Sequence, residues 1–312
     1  MVPIKISVII PTLNAAELLA EQVSTLRSQD LPPEQIIVID SGSEDGTAAL
    51  ARTLPVELLT IEPGTFDHGG TRNLGAEHAT GNILIFMTQD AIFRNSETLE
   101  KLIKPLQESD IVVSYARQVP DENASPAEQY LRLANYPPGP KIKAMQDIDK
   151  LGIKTFQNSN VCAAYRRTEF EQLGCFPAPV VCNEDMLFAA KAIFAGYRVA
   201  YSAGALVTHT HHLGPVKLFR RYFDIAASLD HEPRIKALGR TEEKGLEFFK
   251  NQLKYLRDQK KTYYLPRTLL ETAVKYLGYK AGANHNRIPA GIRKTLGSNA
   301  LYWSRLQKKG RE

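Results

Sequence analysis

The chain has 312 residues, of which 43% are hydrophobic and 23% are charged, a composition typical of a globular protein with one large domain or two small ones. Its net charge of +5 is too small to indicate nucleic-acid binding by itself, and no apolar run reaches the roughly 18–20 residues of a membrane-spanning helix. The three cysteines (Cys162, Cys175 and Cys182) are odd in number and lack metal-ligand spacing, so we expect reduced thiols in a cytosolic protein without an N-terminal signal.

The first part of the chain alternates short apolar runs with helix-like segments. Residues 6–11, 36–40 and 56–61 are rich in β-branched and apolar side chains and predict three strands. Asn14 and Glu17 match a capping box, which predicts a helix that begins directly after Asn14. Strands and helices that alternate in this way predict a parallel, doubly wound sheet.

A glycine pair precedes the next predicted helix, at residues 71–79. Gly69 and Gly70 allow the backbone to approach a ligand closely, and a helix start offers free N–H groups and a positive dipole end. Arg72 adds a guanidinium at the same place. This stretch predicts either a site for a phosphate or a nucleobase, or a glycine-rich turn with a surface arginine.

A fourth strand, predicted at residues 82–88, ends in Gln89 and Asp90. Ligands of open α/β sheets bind just outside the carboxyl ends of such strands, so Asp90 is a candidate ligand for a divalent metal. A helix at residues 96–108 and a strand at residues 111–115 are predicted to follow.

Four short motifs in this order resemble the nucleotide-sugar glycosyltransferases of family 2, which have the GT-A fold. They stand at strand ends and helix starts: VIIPTxN at 8–14, VIDSGSxDGT at 38–47, RNxG at 72–75 and GNILIF at 81–86. FDHGGTRN at 66–73 and TQDA at 88–91 are most similar to the rhamnosyltransferase branch. The resemblance covers residues 4–225 and implies an α/β fold with a mostly parallel central sheet flanked by helices. The pattern beyond it predicts a helical C-terminal extension.

The resemblance also implies a nucleotide-sugar donor at the strand ends. Asp40 is expected to accept a hydrogen bond from a pyrimidine base, with Thr12 and the backbone near Pro11 lining the base pocket. Arg72 is expected to face the base or the diphosphate. The donor-binding residues expected from the resemblance lie at the strand ends and in the adjoining loops: Pro11, Thr12, Asn14, Asp40, Arg72, Gln89 and Asp90.

The metal site that the resemblance implies is incomplete in this chain. Family members usually carry Asp-x-Asp at the metal-binding strand end, whereas Thr88 replaces the first Asp here and leaves Asp90 to hold Mg²⁺ or Mn²⁺ against the diphosphate. Imidazole suits such ions, and in the family a histidine after a later apolar run completes the site. We expect His209 in this role, with His211 as the alternative. A polar loop whose histidines only form hydrogen bonds is the other interpretation.

Two carboxylates, Glu184 and Asp185, open a predicted amphipathic helix. Acidic residues are common in a first helical turn because they interact favourably with the helix dipole, which accounts for Glu184. Asp185 resembles the general base of the family's Glu-Asp motif, and an acceptor hydroxyl needs such a group to remove its proton during attack. A base opposite the leaving diphosphate gives inversion at the anomeric carbon.

The segments before this helix are less regular. Residues 119–151 lose periodicity and predict an irregular acceptor-side flap. Residues 158–165 predict a strand, where Asn158 and Asn160 either contact sugar hydroxyls or simply begin the strand. We therefore expect the acceptor to bind on this side of the domain.

The last third of the chain predicts helices at residues 215–228 and 242–261 and from Pro266 onward. Basic and aromatic residues interleave beyond Pro266. Such helices can lie in a membrane interface, or they can pack on the catalytic core or on a second subunit, and the two interpretations are compatible.

The predicted domains are a catalytic domain, residues 1–225, and a basic helical region, residues 226–312. Residues 1–115 are the nucleotide-binding half of the first domain, and residues 116–225 are its acceptor-side half.

The resemblance implies an inverting glycosyltransferase that moves L-rhamnose from dTDP-L-rhamnose onto a bacterial cell-surface glycan or a lipid-linked acceptor at the cytoplasmic face of the inner membrane. A UDP-hexose donor and a non-catalytic sugar-nucleotide binding protein are the alternatives. Nucleic acid is excluded as a partner because the positive charge lies in the C-terminal tail rather than along a groove.

Overall fold

The structure, a computed structural model, describes residues 3–210, 213–238 and 241–309, apart from the side chains of residues 241–244 and 307–309. Within these residues nine strands form one mixed sheet. The strands are β1 (Ile6–Thr12), β2 (Gln35–Asp40), β3 (Glu57–Thr60), β4 (Ile83–Met87), β5 (Ile92–Phe93), β6 (Ile111–Val119), β7 (Lys141–Lys143), β8 (Cys162–Arg166) and β9 (Arg198–Thr208).

The strand order is β3-β2-β1-β4-β8-β6-β9-β5, with β7 beside β9. The first four strands in this order are parallel, which confirms the prediction of a mostly parallel sheet. β8 runs against both β4 and β6, and β9 is parallel to β6. The carboxyl ends of β1, β2, β4, β6 and β9 therefore meet at one edge of the sheet, together with the start of β8.

Helices cover both faces of the sheet and form the C-terminal region. They are α1 (Ala16–Arg27), α2 (Thr47–Ala51), α3 (His68–His78), α4 (Thr98–Ile103), α5 (Pro126–Asn135), α6 (Ile148–Leu151), α7 (Arg167–Gln172), α8 (Glu184–Phe194), α9 (Pro215–Ser228), α10 (Pro233–Ala237), α11 (Thr241–Asp258), α12 (Leu265–Ala283), α13 (Ala290–Leu296) and α14 (Ala300–Lys309). Successive side chains of a strand point to opposite faces, so Ile9 and Phe86 pack in the core with α8, while Ile10 and Ile85 pack with α1 and α4.

The predicted capping box at the start of α1 is wrong. Asn14 has a left-handed backbone conformation (φ +52°), and its side chain accepts a hydrogen bond from the Glu44 N–H (2.9 Å). The Asp45 carboxylate instead accepts a hydrogen bond from the Ala16 N–H (3.0 Å) at the helix start. The cap of α1 therefore comes from the loop after β2, which a local sequence pattern cannot indicate.

The helix at the glycine pair, α3, begins earlier than predicted. Its N-cap is Asp67, whose side chain accepts a hydrogen bond from the Gly70 N–H (2.5 Å). Gly69 lies so close to the carbonyl oxygen of Pro177 that a Cβ atom would clash with it. The glycine pair therefore serves helix capping and close packing within the protein, and the approach of a ligand at this place stays a prediction.

The prediction of an irregular segment at residues 119–151 is wrong over its middle part, because α5 lies there. The Ser125 hydroxyl caps this helix by accepting a hydrogen bond from the Glu128 N–H (3.2 Å). Pro126 at the first helical position favours a helix start, since its missing N–H needs no partner there. The prolines that suggested an irregular segment mark the ends of a helix instead.

The C-terminal helices pack on the sheet domain through α9. Gly278 and Gly282 bring α12 against the carbonyl oxygens of Phe219 and Phe223 on α9, so close that a Cβ atom at either glycine would clash. Trp303 on α14 packs against the Phe223 ring from another side. Packing of the helical region on the catalytic core, one of the two alternatives, is therefore present in the structure.

Helix α9 has its predicted bounds and spans the predicted domain boundary at residue 225, so the division into two domains stays a prediction. Across residues 3–210, 213–238 and 241–309, no helix combines the length and the apolar character that crossing a membrane requires. The three cysteines are free thiols.

Candidate active site

The first part of the site lies at the ends of β1 and β2. Asp40 is buried, and its Oδ2 accepts hydrogen bonds from the backbone N–H groups of Gly42 and Ser43 (both 3.1 Å). Its Oδ1 is also buried and has no hydrogen-bond partner within the part of the chain that the structure describes. Thr12 lies beside Asp40 in the neighbouring strand. Because a buried carboxylate oxygen without a partner is costly, this strand end is suited to accept a hydrogen bond from a ligand.

A cavity of about 480 Å³ opens at this strand end. Pro11, Thr12 and Ser41 line one side of it, and residues 298–301 line the other. We call residues 298–301 the C-terminal wall. Nothing in the sequence pattern indicated that the C-terminal region reaches the strand ends, since more than two hundred residues separate the two segments.

Asp224 on α9 holds the C-terminal wall in place. Its Oδ2 accepts hydrogen bonds from the Ser298 N–H (2.7 Å) and the Ser298 hydroxyl, and its Oδ1 accepts one from Nε1–H of Trp303 (3.0 Å). Burial raises the pKa of Asp224 above its ordinary value. A buried carboxyl group with three donors fixes the wall firmly to α9.

Two further predicted donor-binding residues shape the loops at the strand ends. The Gln89 side chain pairs with the backbone of Leu13, accepting from its N–H (2.7 Å) and donating to its carbonyl oxygen (3.0 Å). Gln89 also lines the cavity at β1. Asn14 bonds the loop after β2, as described above, and so acts on the shape of the pocket.

The second part of the site is a chain of polar side chains that begins at Asp90. Its Oδ2 lies 3.3 Å from Nε2 of His209, a buried residue that follows β9 directly. Nδ1 of His209 lies 3.1 Å from Oε1 of Gln118. The Gln118 Nε2 group donates to the hydroxyls of Tyr136 (2.6 Å) and Ser159 (2.8 Å), which orients Oε1 towards the histidine.

This orientation favours the His209 tautomer in which Nδ1–H donates to the Gln118 oxygen. In that tautomer the Nε2 lone pair faces the Asp90 carboxylate, an arrangement that a cation between the two groups would stabilise. Burial lowers the pKa of His209, which favours the neutral ring. A metal-binding histidine is commonly oriented in this way, through its other ring nitrogen.

The Asp90–His209 pair fits a divalent ion. Its nitrogen and oxygen are 3.3 Å apart, close to the separation of about 3 Å between adjacent ligands of a six-coordinate ion with bonds of about 2.1 Å. No cluster of three or more His, Cys, Asp or Glu side chains suited to a metal occurs among the described residues, so the pair needs further oxygen ligands from a substrate or water. His211, the alternative ligand, lies outside the described residues.

The third part of the site is at the start of α8. Glu184 is buried, and its Oε1 lies 3.2 Å from Nη1 of Arg72 and accepts a hydrogen bond from the Asn160 side chain (3.0 Å). Asp185 accepts hydrogen bonds from the backbone N–H groups of Asn160 (2.9 Å) and Met186 (2.7 Å). Arg72 is only 4% exposed, so the interpretation of it as a surface arginine is wrong.

The two neighbouring carboxyl groups have pKa values that shift in opposite directions. Burial by itself raises the pKa of Glu184, but Arg72, with help from His68 and Asn160, outweighs this effect and lowers it. Burial raises the pKa of Asp185 to about 7, and the negative charge of Glu184 adds to the rise. Glu184 is therefore a fixed anion at neutral pH, whereas Asp185 can take up a proton. The helix dipole alone does not explain Glu184, since it pairs with Arg72 on α3.

Asn158 and Asn160 hold the start of α8 against β8. The Asn158 side chain donates hydrogen bonds to the Tyr165 hydroxyl (2.7 Å) and the Asp185 carbonyl oxygen (3.2 Å). Asn160 contacts both carboxylates, as described above. These two residues therefore position Asp185.

One cavity of about 540 Å³ joins the second and third parts of the site. Side chains from the sheet edge, α3, α8 and α9 line it: Arg72, Thr88, Asp185, His209, Lys217, Arg220 and Arg221. It shares His68 and Ser298 with the smaller cavity at β1, so the two cavities are adjacent, and we refer to them together as the cleft. The structure thus places the predicted general base and His209 in one cavity, with Asp90 beside His209, and the predicted nucleobase pocket next to that cavity.

The chain is similar to known proteins along nearly its whole length. A model of glycosyl transferase family 2 matches residues 7–174. The O-antigen chain rhamnosyltransferase RfbN of Salmonella typhimurium is 39% identical over 306 residues, which are 97% of either chain. The O-antigen chain rhamnosyltransferase WbaN of Salmonella anatum is 37% identical over 304 residues, which are 96% of either chain.

A solved structure shares the fold. The mannosyltransferase PcManGT from Pyrobaculum calidifontis, in complex with GDP-Man and Mn²⁺, superposes with a TM-score of 0.57 at 22% identity, over 98% of this chain and 86% of that chain. This likeness confirms the predicted GT-A architecture.

Proposed function

The chain belongs to glycosyl transferase family 2 and is a glycosyltransferase, and on that premise we propose that it transfers L-rhamnose from dTDP-L-rhamnose. The proposed acceptor is a bacterial cell-surface glycan or its lipid-linked precursor, at the cytoplasmic face of the inner membrane. Both relatives described above are named O-antigen chain rhamnosyltransferases and align over nearly their full length. The observation that carries the mechanism is the single cleft that Asp185 and His209 both line.

The donor lies along this cleft in the proposed complex. Asp40 Oδ1 accepts a hydrogen bond from an N–H group of the pyrimidine base, and Pro11 and Thr12 line the base pocket. The C-terminal wall closes the other side of this pocket. Lys217 on α9 lines the larger cavity and supplies positive charge for the diphosphate.

We assign Asp90 and His209 as the residues that hold Mg²⁺ or Mn²⁺, with Gln118 fixing the orientation of His209. When bound, the ion offsets the negative charge that develops on the leaving diphosphate. Thr88 stands where a second carboxylate is usual in the family, so the protein contributes one negative charge fewer to the ion.

Asp185 is the proposed general base. The acceptor hydroxyl oxygen attacks the anomeric carbon while the Asp185 carboxylate takes its proton. The new C–O bond forms as the bond to the diphosphate oxygen breaks, and the diphosphate leaves with the electron pair. Attack on the face opposite the diphosphate inverts the configuration. A pKa of about 7 leaves Asp185 partly ionised at neutral pH and still basic enough to accept the proton.

A donor panel tests the assignment of the sugar nucleotide. Thermal unfolding of the full chain is followed with dTDP-L-rhamnose, a UDP-hexose and GDP-mannose, each with and without Mn²⁺, and with dTDP alone as the control. We expect the largest stabilisation from dTDP-L-rhamnose in the presence of Mn²⁺, because the preferred ligand stabilises the folded state most at equal concentration. A larger stabilisation by the UDP-hexose would replace the proposed donor.

A further inference from the structure

The outer face of α12 is apolar and exposed to solvent. Leu269, Leu270 and Tyr276 are each 53% exposed and Leu277 is 58% exposed, with the exposed Ala273 between them. At about 100° per residue these five positions fall within an arc of about 120° on the helix. We call these five side chains the α12 face.

The opposite side of α12 is fixed on the protein. Thr268, Gly278 and Gly282 are buried, and the two glycines contact the backbone of α9. The helix therefore cannot rotate to bury its apolar face without losing this close packing. A contiguous apolar stripe held outward on a fixed helix is typical of an interaction surface.

The charge of the chain is divided unequally along its length. Residues 1–259 contain 27 Lys and Arg against 32 Asp and Glu, whereas residues 260–309 contain eleven Lys and Arg against a single acidic residue, Glu271. Glu271 is itself paired with Arg267 (2.8 Å). The α12 face thus belongs to a strongly basic segment, although the chain as a whole is only mildly basic.

Cationic side chains stand at both ends of the α12 face. Arg267 at its N-terminal end is 60% exposed. At the other end, Lys280 Nζ lies 5.6 Å from the centre of the Tyr276 ring, and Arg287 is exposed just beyond the helix. Basic side chains in such positions extend along an apolar surface while their charged groups reach the phosphates of lipid headgroups.

We propose that the α12 face docks on the surface of a bilayer that contains anionic phospholipids. The leucines enter the boundary of the acyl chains, Tyr276 lies at the level of the headgroups, and the flanking cations contact the phosphates. A second copy of the chain is disfavoured as occupant, because a symmetric pair brings two strongly basic segments together. Since α12 packs on α9 and α9 lines the cleft, docking holds the cleft close to the membrane surface.

Co-sedimentation with vesicles tests the proposal without any donor or acceptor. The full chain is mixed with vesicles of phosphatidylcholine and phosphatidylglycerol, or with vesicles of phosphatidylcholine alone. We expect binding to the anionic vesicles that weakens as salt is added, since salt screens the attraction. The double variant Leu269→Glu/Leu277→Glu is expected to bind at least about tenfold more weakly, because two leucines no longer enter the acyl boundary.

The matched control is the double variant Leu133→Glu/Ile142→Glu. It makes the same change of charge on two exposed apolar side chains of α5 and β7, and it should bind vesicles like the wild type. Stabilisation by dTDP-L-rhamnose is measured on both variants to show that the cleft is intact, and this readout is independent of vesicle binding.

Three outcomes overturn the proposal. The first is a wild-type chain that binds neither kind of vesicle, and the second is an equal loss of binding in the control variant. The third is a wild-type dimer in sedimentation velocity without lipid that Leu269→Glu/Leu277→Glu dissociates, because the α12 face would then be an interface between copies of the chain.

Discussion

The edge of the sheet and the C-terminal helices use their side chains in different ways. At the sheet edge, Asp40, Asp90 and Asp185 each have specific polar neighbours, and Asp185 lines one cavity together with His209, the neighbour of Asp90. On α12, leucines are exposed on one side and basic residues flank them. In our proposals the sheet edge binds and activates the substrates, and the C-terminal helices hold the enzyme on a membrane surface.

The two regions meet at the C-terminal wall. Asp224 on α9 fixes Ser298, and Ser298 lines both cavities of the cleft. If the comparison holds, changes at the sheet edge alter catalysis and leave vesicle binding unchanged. Changes on the α12 face weaken vesicle binding and leave catalysis unchanged. Changes at the C-terminal wall alter donor binding alone.

The largest effect on donor binding is expected for the proposed metal ligand. Asp90→Ala should weaken Mn²⁺-dependent binding of dTDP-L-rhamnose by about 10–100-fold, since the ion keeps only His209 as a protein ligand. Calorimetric titration with and without Mn²⁺ measures the change. Asp30→Ala removes an exposed carboxylate elsewhere and should bind the donor like the wild type. Unchanged metal dependence in Asp90→Ala would show that Asp90 does not hold the ion. Altered vesicle binding in this variant would contradict the expectation that changes at the sheet edge leave vesicle binding unchanged.

A smaller effect is expected from pH. Asp185 accepts a proton only when it is ionised, and its pKa is raised to about 7, so the transfer rate should fall as the pH drops through 7. The expected decrease from pH 8 to pH 6 is about tenfold for a single group with this pKa. The measurement is kcat at saturating donor and acceptor across this range. A rate that is flat, or that rises as the pH falls, contradicts the role of Asp185.

The smallest effect is expected at the C-terminal wall. Asp224→Asn removes the charged acceptor of the hydrogen bonds from Ser298 and Trp303. Because a hydrogen bond to a charged group contributes about 1.5–3 kcal/mol, the wall should be held less firmly. Donor affinity should then fall several-fold. Trp303 is the only tryptophan, so its fluorescence reports directly on the wall. Altered fluorescence with unchanged donor affinity would show that the wall does not contact the donor.

Most elements of the fold could be predicted from local patterns. α9 has its predicted bounds, and β1, β2 and β4 lie within a residue or two of the predicted strands, because buried apolar runs and helical spacing are local properties. The reversed direction of β8 could not be predicted, since it depends on the route of the whole chain. α5 was missed although Ser125 and Pro126 form a recognisable helix start.

In the candidate site, too, residues with a local signal could be predicted, whereas contacts between distant segments could not. Asp40 and Asp90 were identified because they follow apolar strands, and Asp185 and His209 because they resemble family residues. The structure brings all four to the edge where parallel strands end. The pairing of Glu184 with Arg72, the cap of α1 and the C-terminal wall could not be predicted, because each joins segments far apart in the chain.

Asp185→Asn tests the central assignment most directly. The amide keeps the shape of the carboxylate but cannot take a proton from the acceptor, so donor binding should be retained while transfer falls by about 10²–10⁴-fold. Calorimetry with dTDP-L-rhamnose and a transfer assay on the same preparation measure the two quantities, with Asp30→Asn as the control. Retained donor binding with the expected loss of transfer supports Asp185 as the base, and transfer at a rate close to that of the wild type contradicts it.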